Sequence, residues 1–147
     1  MFSGSAASRS IAAASLGATL GVAVVILLTI VFFQWAGGIT PYDIVTLDQQ
    51  SRLELEGLVI AYMQVVTVVI GVPLGCWFIL RRTQAPGAGA TALFTIPWSW
   101  LLWVVALRQI PSGPNDALVL PYAFFGAVVL AAALARGAIL LIQRAAR

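Results

Sequence analysis

The sequence predicts an all-α, polytopic integral membrane protein with four transmembrane helices, and three observations carry that expectation. The chain of 147 residues is 61% hydrophobic and only 9% charged, where ordinary soluble domains carry roughly 25% charged residues. A small soluble domain leaves much of its surface in water and has to cover it with polar groups that this chain lacks. Second, the apolar residues fall into runs over 11–35, 57–80, 91–110 and 118–142, each near the ~20 residues that a helix needs to cross the hydrocarbon layer. Third, six of the eight arginines lie beside or within the ends of these runs, which is how positive charge orients membrane helices.

The arginines also predict a direction. Arg9, Arg81, Arg82, Arg144 and Arg147 flank one set of ends, and Arg136 in the last turns of span four is expected to snorkel the same way. Both termini are therefore expected on the cytoplasmic side (N-in/C-in). The opposite side receives Arg52, Arg108 and all five acids, Asp43, Asp48, Glu54, Glu56 and Asp116, for formal charges of +6 inside and −3 outside. A single four-helix domain over 1–147 with an outer loop at 38–56 follows, in the plasma (inner) membrane. The absence of Lys is in keeping with GC-rich bacterial codon usage.

Span one follows Arg9 as a signal peptide would, but its apolar stretch exceeds the about 7–15 residues of a signal h-region. Its small-residue run Ala12-Ala13-Ala14-Ser15 lies at the start of that stretch, so the span is expected to be retained.

The outer segment at 40–57 holds four of the five acids. Orientation accounts for them: acids are kept out of hydrocarbon, and arginines are kept in the cytoplasm. Thr46-Leu47-Asp48-Gln49 fits a capping box, with Thr46 as N-cap. A helix running unbroken from Leu47 to Leu80 is about 51 Å long at 1.5 Å per residue, against a hydrocarbon layer of about 30 Å. The second helix is thus expected to project beyond the bilayer and carry Asp48, Arg52, Glu54 and Glu56. Asp48, Arg52 and Glu56 follow a four-residue spacing that suits surface ion pairs and places the carboxylates too far apart for a metal cage. This stripe is the expected partner-docking surface.

Small residues recur every fourth position in three spans: Ala13, Gly17 and Gly21; Thr67, Gly71 and Gly75; Ala123, Ala127, Ala131 and Ala135. Such rows let backbones approach closely, which matters in lipid because hydrophobic burial no longer drives association. Span three instead carries Trp98, Trp100 and Trp103, too deep for an interfacial belt. Trp100 and Trp103 share one face and Trp98 points nearly opposite. Large rings packing into small-residue grooves are the plain expectation, and a wall against a lipid tail or quinone the sharper one. Pro73, between Gly71 and Gly75, is expected to kink span two, while Pro97 and Pro121 fall in early turns of spans three and four.

Composition removes much chemistry. The chain has no His, so bis-His haem, His-containing zinc sites and Ser-His or Cys-His pairs are excluded. Cys76 is the single cysteine, which leaves no intrachain disulfide and no CxxC motif. The Gly-rich connection at 81–90 lacks the spacing of a phosphate loop. Gln64 is the most polar side chain well inside a span, with Tyr62 and Thr67 nearby. No metal, cofactor or catalytic residue is expected.

The leading expectation is a non-catalytic accessory subunit of a larger membrane complex, in contact with lipid and with other membrane subunits or itself, and without a nucleic-acid partner. The alternative is a small homo-oligomeric transporter or channel, with Gln64 and Thr67 lining its path. The size is similar to that of small drug exporters and phage holins. Those exporters rely on a glutamate within the first span, whereas 11–35 contains no charge.

Overall fold

The computed structural model describes residues 4–36, 48–110 and 116–146, with side chains at all of these except 4, 5, 33, 36, 52 and 116–118. Every regular element among them is helical: α1 (Gly4–Ala36), α2 (Gln49–Val66), a π-helical turn (Thr67–Gly71), α3 (Val72–Arg82), α4 (Ala88–Gln109) and α5 (Asp116–Ala145). α2, the π turn and α3 run on as one helix of 34 residues. The chain therefore forms four helices long and apolar enough to cross a membrane, the mark of a multi-pass membrane protein.

Each helix starts before its expected span, and all but α4 also run past its end. Apolarity marks the part suited to hydrocarbon, whereas helical hydrogen bonding continues through polar residues such as Ser8 and Ser10 before Ile11 and Gln143 and Arg144 after Ile142. The start of α2 also corrects the expected cap. The capping residue is Asp48, with extended backbone (φ −60°, ψ 154°), and its carboxylate accepts the Ser51 N–H at 3.3 Å. Asp is at least as good an N-cap as Thr, and its position shortens the helix start by two residues. Thr46 and Leu47 lie outside the described residues.

Pro73 lies inside this continuous helix, at the second position of α3 and just after the π turn. The turn before it is widened: Val72 N–H reaches the Thr67 carbonyl five residues back. The break expected at the proline is thus absorbed as a π turn, one of the recognised ways a helix accommodates an irregularity. Pro97 lies inside α4, because that helix starts at Ala88, earlier than the apolar run suggests.

The core is built from small residues. Ala18, Val22, Val68, Val72, Cys76, Val128 and Ala132 form one buried cluster, with Ile96, Trp100 and Phe124 packed against it. Small residues make up the buried centre, and the aromatic rings of α4 and α5 pack around it. Trp103 meets Phe124 edge-on at 5.1 Å between centroids and 82° between planes, a favoured geometry for aromatic pairs.

Candidate functional site

α1 runs antiparallel to the π turn and α3 and meets them at four glycines. Gly17 lies against Gly75 and Gly21 against Gly71, so closely that a Cβ on Gly17 would stand 2.6 Å from the Gly75 carbonyl oxygen. A Cβ on Gly71 would stand 2.6 Å from a Val25 methyl. One turn further, Cys76 Sγ donates to the Ala14 carbonyl at 3.2 Å, in full burial. On the α5 side, Ala127, Ala131 and Ala135 are buried. Trp103 is 5% exposed, and Trp100 is half-buried on the core cluster.

Beyond the Gly21–Gly71 contact, towards the acidic end, α1 and α2 leave many of their large side chains exposed. Leu58 is 70% exposed, Tyr62 57% and Leu28 63%. Leu58 and Tyr62 share one face of α2 and Ile60, 55% exposed, lies nearly opposite, so large side chains are exposed on more than one face of that segment. Between α1 and span two runs a groove of about 680 Å³, floored by Gly21, Val25 and Gly71 and walled by Leu28, Phe32 and Tyr62. It reaches from Leu20 to Trp35, about 22 Å along α1 at 1.5 Å per residue. Gln64 is half-buried and does not line this groove, and Thr67 is buried at the start of the π turn.

At the N-terminal end of α2, Asp48 and Glu54 are exposed and Glu56 is half-buried. Arg52 belongs to the same helix, but its side chain lies outside the described residues, so the ion-pair row through it is not visible. The Ser51 hydrogen bonds hold the Asp48 carboxyl below its ordinary range.

The most polar locus is at the other end. Arg136 is 1% exposed, where snorkelling to the surface was expected. Nε donates to Ser10 Oγ at 2.7 Å, and Nη1 donates to the Pro86 carbonyl at 2.8 Å and to Thr91 Oγ1 at 3.2 Å. The correction has a simple cause. Arg136 sits four residues after Ala132 and three before Ile139, both buried, so it shares the inward face of α5. Three oxygen acceptors from α1, the 83–87 turn and α4 meet it there. Thr91 also donates back to the Gly87 carbonyl at 3.0 Å, tying the first turn of α4 into the network. Gly87 adopts φ +74°, and a Cβ there would meet Gln143 Nε2 at 2.6 Å. The turn thus needs glycine both for its left-handed backbone and for its contact with α5.

Beside Arg136 opens a cavity of about 530 Å³ lined by Arg9, Ser10, Arg136, Gln143 and Arg144, with Leu140 on its apolar side. Arg81 and Arg82 lie at the same end but turn aside, over the rings of Trp77 at 5.0 Å and Phe78 at 5.4 Å. This pocket was not read from the sequence. Its signal was the register of Arg136 on the buried face of α5. A second missed row is Thr91, Thr95 and Ser99, four apart and fully buried, the small-residue face of α4. The hydroxyls of Thr29 and Thr95 bond backbone carbonyls of their own helices, at 2.7 and 2.6 Å, which satisfies them in an apolar setting.

The architecture defines the class: a multi-pass helical membrane protein, arginine-rich at one end and acidic at the start of α2. No family model, no curated protein and no solved structure matches the chain.

Proposed function

We propose that this chain is a non-catalytic accessory subunit of a larger membrane complex, set with its arginine-rich end in the cytoplasm of a bacterial plasma (inner) membrane. The observation that carries this reading is the divergence of α2 from α1. The divergence leaves a long apolar groove and a helix segment with large side chains exposed on several faces. A transmembrane helix of a partner subunit suits such a groove, whose apolar walls run about 22 Å along α1 at 1.5 Å per residue. The acidic start of α2, with Asp48, Arg52, Glu54 and Glu56, then meets the partner outside the bilayer, which the 34-residue length of span two supports. Within the spans, Arg136, Cys76, Thr29 and Thr95 are engaged in internal hydrogen bonds, a pattern of structural rather than catalytic use.

Native extraction in a mild detergent, followed by mass analysis, tests the proposal. Other polypeptides are expected at fixed stoichiometry, and Leu58→Cys is expected to cross-link to one of them. Recovery of a monodisperse monomer with no partner would overturn it. A second reading, a homo-oligomeric transporter or channel of holin-like size, draws on the π turn at Thr67, since such turns recur at functional sites. Recovery of multiples of this chain alone, with liposome flux abolished by Gln64→Leu, would favour that reading.

A further inference from the structure

We propose that the cavity between the start of α1, the 83–87 turn and the end of α5 binds the phosphate of an anionic phospholipid. Three arginines from separate parts of the chain line it: Arg9, Arg136 and Arg144. Arg136 is the anchor. A guanidinium offers five N–H donors, and three of these bond Ser10, Pro86 and Thr91. Those acceptors are neutral, so the hydrogen bonds fix the guanidinium without neutralising it. The two N–H groups of Nη2 have no acceptor among the described residues. The acids with described side chains, Asp48, Glu54 and Glu56, all lie at the cap or in the first turns of α2, at the other end of the molecule. A charge this deeply placed is costly in a membrane protein unless an opposite charge meets it.

The surroundings favour a lipid over a soluble phosphate. The cavity sits at helix ends, where headgroups lie, and basic pockets between transmembrane helices are known headgroup sites. Its wall is apolar on the side of Leu140 and Ala13, and α5 continues outward with Leu141 and Ile142, both more than half exposed. An acyl chain leaving the cavity therefore passes onto a lipid-facing surface. Gln143 supplies an amide for the glycerol or headgroup oxygens. The binding is independent of whether a partner fills the groove at the opposite end.

The test uses the full chain in neutral detergent, titrated with phosphatidylglycerol, with phosphatidylcholine of the same acyl chains, and with inorganic phosphate. Retained lipid is read by native mass spectrometry and thermal stability in parallel. Phosphatidylglycerol is expected to be retained preferentially and to raise Tm. Arg9→Gln and Arg144→Gln are each expected to weaken retention roughly fivefold, following the attraction of one arginine for an anionic headgroup. Arg81→Gln and Arg82→Gln, at the same end but outside the cavity, should leave it unchanged. Because Arg136→Gln risks unfolding the turn, Arg136→Lys is the second variant, keeping the charge but losing the planar fork, with reduced selectivity expected. Equal retention of the two lipids would overturn the proposal, as would equal losses from Arg81→Gln and Arg144→Gln, which signify diffuse surface attraction. Protection by inorganic phosphate alone, at the level of the lipid, would reassign the cavity to a soluble anion.

Discussion

The two halves of the α1–span two pair differ sharply. Towards the arginine-rich end, from Val25 and Val68 on, the contact is made of glycine against glycine and of fully buried Ala14, Ala18, Val72, Cys76 and Leu80. Towards the acidic end the same two helices carry Leu27, Leu28, Phe32, Leu53, Leu58 and Tyr62 with more than half of each side chain exposed. Apolarity is no lower in the second half. The difference lies in residue size at the contact, since in lipid only close packing and polar bonds hold helices together. Bulky side chains are as well solvated by acyl chains as by one another.

That contrast is sharpest at the glycines. Gly21→Val would drive side-chain atoms into the Gly71 backbone, which cannot yield without separating the helices. A loss of about 3 kcal/mol, at the upper end of ordinary overpacking costs, is expected, read as a lower unfolding midpoint in a detergent titration. Gly57, in the open half, has nothing within 4 Å of the point where a Cβ would stand. Gly57→Ala should leave stability unchanged or raise it by up to about 1 kcal/mol through helix propensity. A comparable loss at both sites would erase the distinction between the halves.

Next in size is the Arg136 network, which fastens the closed half at its far end. Arg136→Leu removes the donor shared by Ser10, Pro86 and Thr91. Leaving buried acceptors unpaired costs about 1–3 kcal/mol. The local signature is expected at the 83–87 turn, as faster amide exchange and faster proteolysis there than at α2. Ser99 gives a smaller effect of opposite sign. Its Oγ is buried with no hydrogen-bond partner among the described residues, so Ser99→Ala should be neutral or stabilising by up to about 1 kcal/mol.

How much of this was legible beforehand follows the same physics. The four helices were legible because hydrocarbon selects composition over about 20 residues at once. The glycine spacing 17, 21 and 71, 75 was visible too, and the structure sets these two pairs against each other, though spacing alone does not say which row meets which. The inward turn of Arg136 was not legible. Long basic side chains near helix ends reach water by default, and only the convergence of Ser10, Pro86 and Thr91, distant in sequence, gives a different answer. The row Thr91, Thr95 and Ser99 carries a weak signal for a related reason: a small hydroxyl can bond a carbonyl of its own helix, so its polarity does not tell a buried face from a lipid-facing one.

The smallest effect concerns the end of the open half. Asp48 caps α2 through Ser51, and those hydrogen bonds lower its pKa from the ordinary 3.8. A carboxyl whose folded pKa lies below its unfolded value contributes stability above the unfolded pKa and loses it as pH falls through the folded one. The cap is therefore fully in place at neutral pH and weakens only below about pH 3.8. Because the group is fully exposed, the change should be confined to the first turn, read as faster exchange of the Ser51 amide in acid. Asp48→Asn keeps the capping oxygen and should abolish the pH dependence while preserving protection at neutral pH. Asp48→Ala should lose protection at every pH. If Asp48→Asn instead behaves as Asp48→Ala, charge at the helix terminus rather than the Ser51 hydrogen bond holds this end of the open half.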